Sequence, residues 1–194
     1  MFAIVRRIRE ARIGRLSGEQ NAERLRALGH SIGLHCSIPP STALPLPDLI
    51  RIGDNVRFAA GVRVLPYDGS VAMIGRATGQ RLDAVGPVVF RDNVFVGAGS
   101  FILKGVTLGP NVVVGCGSIV TRDFARVVIA GGPARIVRGW DEHLAELAAR
   151  TRAYPWRDLI EGRAGAFDPK LEPKLNAARR AYFFGNDSYG EQRS

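Results

Sequence analysis

The chain has 194 residues, 46% of them hydrophobic and 23% charged, with a formal net charge of +9 at pH 7. That length and apolar content suit a single domain with modest additions, and no apolar run approaches the ~20 residues of a membrane-spanning helix. Arginines are spread through both ends and through 122–138 rather than interleaved with aromatics, which argues against a nucleic-acid platform and leaves a phosphate-bearing ligand, or peripheral contact with an anionic membrane surface, as the fitting partners.

The first element predicted is helical. Phe2, Ile4, Val5 and Ile8 alternate with Arg6, Arg7, Arg9 and Arg12, and a second helix is expected from about Glu19 to Leu28, which is rich in Ala, Glu, Arg and Leu. The arginine-rich start lacks an apolar core and a small-residue cleavage site, so no secretory signal is expected and the cytoplasm is the default compartment. The two cysteines, Cys36 and Cys116, form no disulfide framework or metal motif and read as small buried or half-buried side chains.

From Ile32 and Ile38 onward a different period takes over. A first, irregular coil is followed by the proline-rich PPSTALPLP, then by apolar residues at Leu46, Ile52, Phe58 and Val64. The pattern resumes out of phase at Phe90, Val96, Ile102, Leu108, Val114 and Val120, each followed four residues later by Val94, Ser100, Val106, Val112, Ser118 and Phe124. A period of six fits no helix. It fits strand alternation broken by regular corners, which predicts a parallel β-helix with three flat faces. The step from Val64 to Phe90 is not a multiple of six, so a loop at 70–87 is expected to leave one coil; long loops in repeat arrays tend to carry function.

After the coils, Asp141–Arg152 and Pro173–Tyr182 read as helices broken by Pro155 and Pro169. The predicted organisation is an N-terminal helical segment at 1–30, a β-helix at 31–138 and a C-terminal helical extension at 139–194. The end helices are expected to cover the open ends of the coil.

The stretch GPVVFRDNVFVGAGSFILKGVTLGPNVVVGCGSIVTRD, followed by IAGGPARIVRGW, resembles the hexapeptide-repeat acyltransferases, in particular the branch containing maltose and galactoside O-acetyltransferases and the sugar acyltransferases of polysaccharide biosynthesis. The resemblance spans about Ile52 to Trp140. It implies a left-handed β-helix, a homotrimer with active sites between subunits, and acetyl-CoA or another acyl-CoA as cosubstrate with no metal. It further implies that Ala98 and Cys116 present backbone to the pantetheine arm and thioester. Thr121 and Arg122 match the family's residues near the adenylate, and Arg135 and Arg138 its two basic residues after the segment at Pro133. A competing role for Arg135 and Arg138 is pairing with Asp141 and Glu142.

One departure stands out. Where relatives commonly carry threonine and histidine before Asp-Gly, this chain has Pro66 and Tyr67 in VLPYDGSV. That histidine is the family's general base, whereas a tyrosine, with an ordinary pKa near 10, is a poor base at neutral pH. Three readings follow. The acceptor is an amine, such as an amino sugar, which needs a base less; or another group supplies the base, His35 because it follows Ile32 at the interval at which Tyr67 follows Val64, or Asp68, whose counterpart orients substrate; or the chain is a non-catalytic trimeric relative that binds acyl-CoA, a sugar or a protein. Phe95 stands where relatives often have tryptophan and either floors the acceptor site or packs against a neighbouring subunit. Arg76 and Arg81, in the predicted loop, are candidate contacts to a phosphorylated sugar. His30 and His35 would need a third ligand to hold zinc, and the only other histidine is His143, beyond the coils. The function expected is acyl transfer to a sugar-type acceptor, nucleotide- or lipid-linked.

Overall fold

A computed structural model describes residues 13–165 and 167–185; the amphipathic segment read at Phe2–Arg12 lies outside them. Contacts divide the chain into two compact units, one ending at His143 and the other beginning at Leu144.

The first unit opens with α1 (Gly18–Ala27), which starts at a capping box. Ser17 Oγ accepts from the Gln20 N–H at 3.2 Å while Gln20 Oε1 accepts from the Ser17 N–H at 2.9 Å, so two otherwise orphaned donors are satisfied at the helix start. Ala22 is buried in the core, and Asn21 donates from Nδ2 to the Ile38 carbonyl at 2.9 Å. Arg26 donates to the Ile32 and Gly33 carbonyls. The helix therefore covers the first coil, and the coil's backbone acceptors are met by side chains of the helix.

The coils consist of β1 (Ser31–Ile32), β2 (Ile50–Ile52), β3 (Val56–Phe58), β4 (Arg63–Leu65), β5 (Val88–Phe90), β6 (Val94–Val96), β7 (Phe101–Leu103), β8 (Thr107–Leu108), β9 (Val112–Val114), β10 (Ile119–Val120), β11 (Val127–Ala130) and β12 (Arg135–Gly139). They form three sheets, with strand orders β1-β2-β5-β8, β3-β6-β9-β11-β12 and β4-β7-β10. The pairings are parallel, except that β11 and β12 form an antiparallel hairpin. Phe90 pairs with Leu108, Val96 with Val114 and Ile102 with Val120. Each full turn thus takes three hexads, and like residues stack on like positions. The hexad residues of the second block are all buried, and Phe58 meets Phe90 edge-on, with ring centroids 4.9 Å apart.

Two expectations change. In the first coil Ala43 pairs with Arg63, which makes Leu44, packed against the core, the inward residue of the third face. Leu46 is instead 45% exposed, in a left-handed conformation before the short 3-10 turn Pro47–Leu49; the prolines of this segment lengthen the corner and shift the register. The region at 70–87 is not a plain loop. Pro66–Asp68 and Ala84–Gly86 run together as a stem, with the Asp68 N–H on the Ala84 carbonyl at 2.8 Å and the Gly86 N–H on the Pro66 carbonyl at 2.9 Å. The stem carries α2 (Ser70–Thr78), none of whose residues is buried.

The corners differ in chemistry. Between the first and second sheets, Asn55, Asn93 and Asn111 adopt φ of 54°, 59° and 60°, a region asparagine tolerates better than most residues. Their amides form a ladder, Asn55 Nδ2 to Asn93 Oδ1 at 2.9 Å and Asn93 Nδ2 to Asn111 Oδ1 at 3.0 Å. Between the second and third sheets, Gly97 takes the tightest position: a Cβ there would meet the Cys116 nitrogen at 2.6 Å and the Val114 oxygen at 2.8 Å.

In the second unit, helices α3 (Trp140–Ala153, which begins in the first unit), α4 (Arg157–Glu161) and α5 (Glu172–Phe184) surround a small core. Trp156 stacks on Tyr154 with centroids 4.5 Å apart, and Tyr182 and Phe183 meet them edge-on or tilted. Leu175 is fully buried, and Arg163 pairs with Glu172.

Because the atoms that crowd Gly97 are backbone, Gly97→Ala is expected to lower stability by about 1–3 kcal/mol or more in chemical denaturation. Gly139→Ala, which meets nothing within 4 Å, is expected to stay within about 0.5 kcal/mol of the parent.

Candidate functional site at the corners of the coil

The corner between the third and first sheets holds the inserted stem. Tyr67 bridges to Val85 and is 43% exposed. The Tyr67 ring lies beside Gly69, whose missing side chain would come within 3.9 Å of Cε2. Asp68 Oδ1 accepts from the Ser70 N–H at 3.0 Å at the start of α2. Lys104, one coil further on, reaches both strands of the stem: its Nζ lies 3.8 Å from Asp68 Oδ2 and 3.4 Å from the Ala84 carbonyl oxygen. The turn itself is sealed by the Gly105 N–H on the Pro87 carbonyl at 2.8 Å. Lys104 was not singled out by the sequence reasoning, although a signal existed. It follows Ile102 by the interval at which Arg122 follows Val120, so both cations occupy the same phase of the hexad.

The Ser70 backbone N–H, then the Ser70 hydroxyl, and to a smaller extent the Lys104 ammonium hold the Asp68 carboxyl below its ordinary value. Asp68 is therefore charged at neutral pH and acts as an acceptor.

The corner between the second and third sheets presents a column of small residues. Ala98 and Cys116 are exposed, and the chain beside them is tied by the Gly99 N–H on the Ala60 carbonyl at 3.0 Å and the Gly117 N–H on the Ala98 carbonyl at 2.8 Å. Buried Ser100 and Ser118 brace this backbone from inside. Each hydroxyl donates to the Gly115 carbonyl, at 3.1 and 2.7 Å, and Ser118 Oγ also accepts from the Gly131 N–H at 3.2 Å. Cys116 thus departs from the expectation of a buried or half-buried side chain: the hexad puts it at a corner, where side chains face out. Cys36 does conform, donating to the Gly53 carbonyl at 3.1 Å, and burial pushes its thiol above the ordinary value.

The remaining candidates lie apart. Thr121 and Arg122 are exposed in the last coil, and the Arg122 guanidinium sits over the Phe124 ring, 5.0 Å from its centroid. Arg135 and Arg138 are on β12, beyond the coil's last parallel strand. Arg135 donates to the Pro133 and Ala134 carbonyls at 3.4 and 3.1 Å, and the acidic helix start is engaged by Arg126, whose Nη2 is 2.7 Å from Asp141 Oδ2. Phe95 points outward from β6 of the second sheet, between Arg57 and Val113, and is 43% exposed. Arg76 lines an open cleft of about 520 Å³ with Ala72, Met73 and Ala77 on α2, and Arg81 is exposed on the return to the stem. His35 is brought to neither corner. It occupies the left-handed position (φ 57°) between the first and second sheets, in line with the asparagine ladder. Among the described residues no group of three or more His, Cys, Asp or Glu is placed to hold a metal ion, and no helix is long and apolar enough to cross a membrane.

A carboxyl whose folded-state pKa is depressed contributes stability above its unfolded pKa, and that contribution is lost as pH falls through the folded value. Carbon-13 NMR titration of Asp68 is accordingly expected to give a midpoint below the 3.8 of an ordinary aspartate. A midpoint at or above 3.8 would show that the Ser70 contact does not form in solution.

Residues 87–122 match the family described as bacterial transferase hexapeptide (six repeats). The chain is 40% identical over 120 residues to protein CapG of Staphylococcus aureus, covering 60% of this chain and 69% of that protein. It is 36% identical over 110 residues to the galactoside O-acetyltransferase of Escherichia coli (strain K12), covering 56% of this chain and half of that protein's length. Among solved structures, a hexapeptide-repeat containing acetyltransferase from Vibrio cholerae O1 biovar eltor, complexed with acetyl coenzyme A, superposes with a TM-score of 0.50 at 22% identity over 68% of this chain and 82% of that one. The six-residue period, the three-sheet coil and these likenesses converge, and the chain belongs to the bacterial hexapeptide-repeat transferase family.

Proposed function

We propose that this chain is an acyl-CoA-dependent acyltransferase that moves an acetyl or related acyl group onto a sugar-type acceptor. The observation that carries the proposal is the corner column of Ala98 and Cys116, whose small exposed side chains and internally braced backbone suit the amide-bearing pantetheine arm of coenzyme A. Arg122, Arg135 and Arg138 supply cations for its phosphates. The likeness to a galactoside O-acetyltransferase supports the acceptor class, and the likeness to an acetyl-CoA-bound structure supports the coil as the scaffold.

In the proposed reaction the acceptor oxygen or nitrogen attacks the thioester carbonyl. Backbone N–H groups stabilise the developing oxyanion, the carbon–sulfur bond breaks, and coenzyme A leaves as the thiol with the proton that the acceptor gives up. No acyl-enzyme forms. In a single chain the coenzyme column and the Tyr67 corner lie on either side of the third sheet. We propose a left-handed winding and a homotrimer, in which the acceptor corner of one subunit faces the coenzyme column of its neighbour. A cytoplasmic setting, where acyl-CoA is made, follows from the same reading. Arg76 and Arg81 then border the acceptor, and Phe95 packs at the subunit boundary.

Tyr67 favours an amine acceptor, because a neutral amine is nucleophilic without a positioned base. It also favours a second reading, in which the coil binds acyl-CoA, a sugar or a protein without transferring anything. Asp68, kept charged by Ser70, orients the acceptor in the first reading.

Two measurements decide. Calorimetric titration with acetyl-CoA is expected to show micromolar binding that weakens in Arg122→Ala and in Arg135→Ala; no binding at millimolar coenzyme would overturn the acyltransferase reading. In acyl-transfer assays Tyr67→His is expected to raise turnover of hydroxyl acceptors, by up to the ~10²–10⁴-fold that a positioned base supplies, and Tyr67→Phe to leave amine acylation within a few-fold. Coenzyme binding with no transfer to either acceptor type would favour the binder.

A further inference from the structure

Lys104 belongs to no part of the proposed coenzyme site, yet it reaches both strands of the stem at the acceptor corner. Its ammonium carries three N–H donors. The Ala84 carbonyl takes one, at 3.4 Å, and Asp68 Oδ2 stands 3.8 Å away, beyond hydrogen-bonding distance. A half-exposed ion pair at that separation adds little to stability. What the geometry provides is a donor and an acceptor side by side and only partly used. Asp68 Oδ1 accepts from the Ser70 N–H, which fixes the carboxylate plane and turns Oδ2 toward Lys104. Tyr67, the residue before Asp68, bridges to Val85 on the same stem, has its ring beside Gly69 and is 43% exposed.

Neighbouring hydroxyls of a pyranose lie about one hydrogen-bond length apart, and each both donates and accepts. An ammonium giving to one oxygen and a carboxylate taking the proton of the next match that pair, while an aromatic ring suits the apolar face of the sugar. We propose that Asp68 and Lys104 form a fork for a vicinal diol of a pyranose acceptor, with the Tyr67 ring as its floor. This rests on the acyltransferase reading for its purpose but not for its chemistry. Tyr67 then gains a role that histidine would fill less well: it contributes contact area to the sugar instead of taking a proton.

The test uses the full chain and methyl α-D-glucopyranoside, methyl α-D-galactopyranoside and methyl α-D-mannopyranoside, each beside analogues lacking one ring hydroxyl, read by saturation-transfer NMR. At least one glycoside is expected to bind. Removing one hydroxyl of the recognised pair is expected to weaken binding about tenfold, in keeping with a hydrogen bond to a charged group. Lys104→Met is expected to bind the parent glycoside and the analogue lacking the Lys104-held hydroxyl alike while still discriminating at the hydroxyl held by Asp68, Lys104→Arg to restore part of the lost discrimination, and Tyr67→Ala to weaken all glycosides together. Acetyl-CoA titration of Lys104→Met, expected to match the parent, separates this inference from the coenzyme site and shows that the variant is folded. If transfer is measurable, Lys104→Met raises KM about tenfold and changes kcat little. Failure of all three glycosides to bind, or discrimination by Lys104→Met equal to the parent's at every hydroxyl, overturns the fork. Glycoside binding with no acyl transfer to either hydroxyl or amine acceptors supports the fork and overturns the acyltransferase reading instead.

Discussion

Everything in the first unit depends on the vertical stacking of like residues from coil to coil. Ile52, Phe90 and Leu108 form one such column, and Val64, Ile102 and Val120 another. Each strand's pairing with the next fixes which side chains enter the narrow interior, and a shift of one residue would turn them outward. An insertion can therefore occur only where it leaves the columns intact, at a corner. The stem and α2 meet that condition: the chain leaves after β4 and returns at β5, with Ile52 still paired to Phe90 and Val64 to Ile102. The same demand explains the hydroxyls inside. Ser100 and Ser118 occupy hexad positions otherwise apolar, and they are tolerable there because each satisfies itself on the Gly115 carbonyl.

Rigid faces and permissive corners divide the labour. Strand residues are spoken for, inward by packing and outward by sheet neighbours, so chemistry collects where the backbone turns. The three corners have separate characters: a ladder of asparagine amides at one, small residues over a braced backbone at another, and a charged fork with an aromatic at the third. A ligand lying along the coil axis meets the same corner chemistry at every turn. That suits an extended molecule such as coenzyme A, whereas the inserted stem makes its own corner unique and so suits the part of the reaction that must discriminate between acceptors.

The fold was largely legible from the sequence because the hexad is strict from Phe90 to Phe124, and the helices at 18–27, 140–153 and 172–184 carry ordinary helical signals. The first coil was less so, since proline-rich spacing let Leu46 pass for the inward residue in place of Leu44. The site suffered from a deeper ambiguity. A six-residue period repeats three times per turn and cannot say which face a residue is on. Ile32 and Val64 share a phase, but Ile32 pairs with Ile52 in the first sheet and Val64 with Ile102 in the third. His35 and Tyr67, equally spaced from them, accordingly stand at different corners. Cys116 was misplaced for a related reason, because corner positions face outward whatever their polarity. Lys104 escaped notice because its partners, Asp68 and Ala84, are distant in sequence and meet it only through the stem.

The charge surplus also takes on a definite form. Several arginines are absorbed structurally: Arg26 on carbonyls of the first coil, Arg57 on Glu19, and Arg126 on Asp141. Arg122 rests against the Phe124 ring instead of a carboxylate, which holds the guanidinium in place without neutralising it, as an anion-binding cation requires. Lys104 is different again: it pairs with Asp68 across 3.8 Å, beyond hydrogen-bonding distance, with both side chains partly exposed. The hydroxyls of a sugar ring suit such a pair, since each can accept from the ammonium or donate to the carboxylate. In the proposed reaction the two ends would thus differ in kind, a coenzyme met by cations such as Arg122 and an acceptor met through its hydroxyls by the Asp68–Lys104 pair.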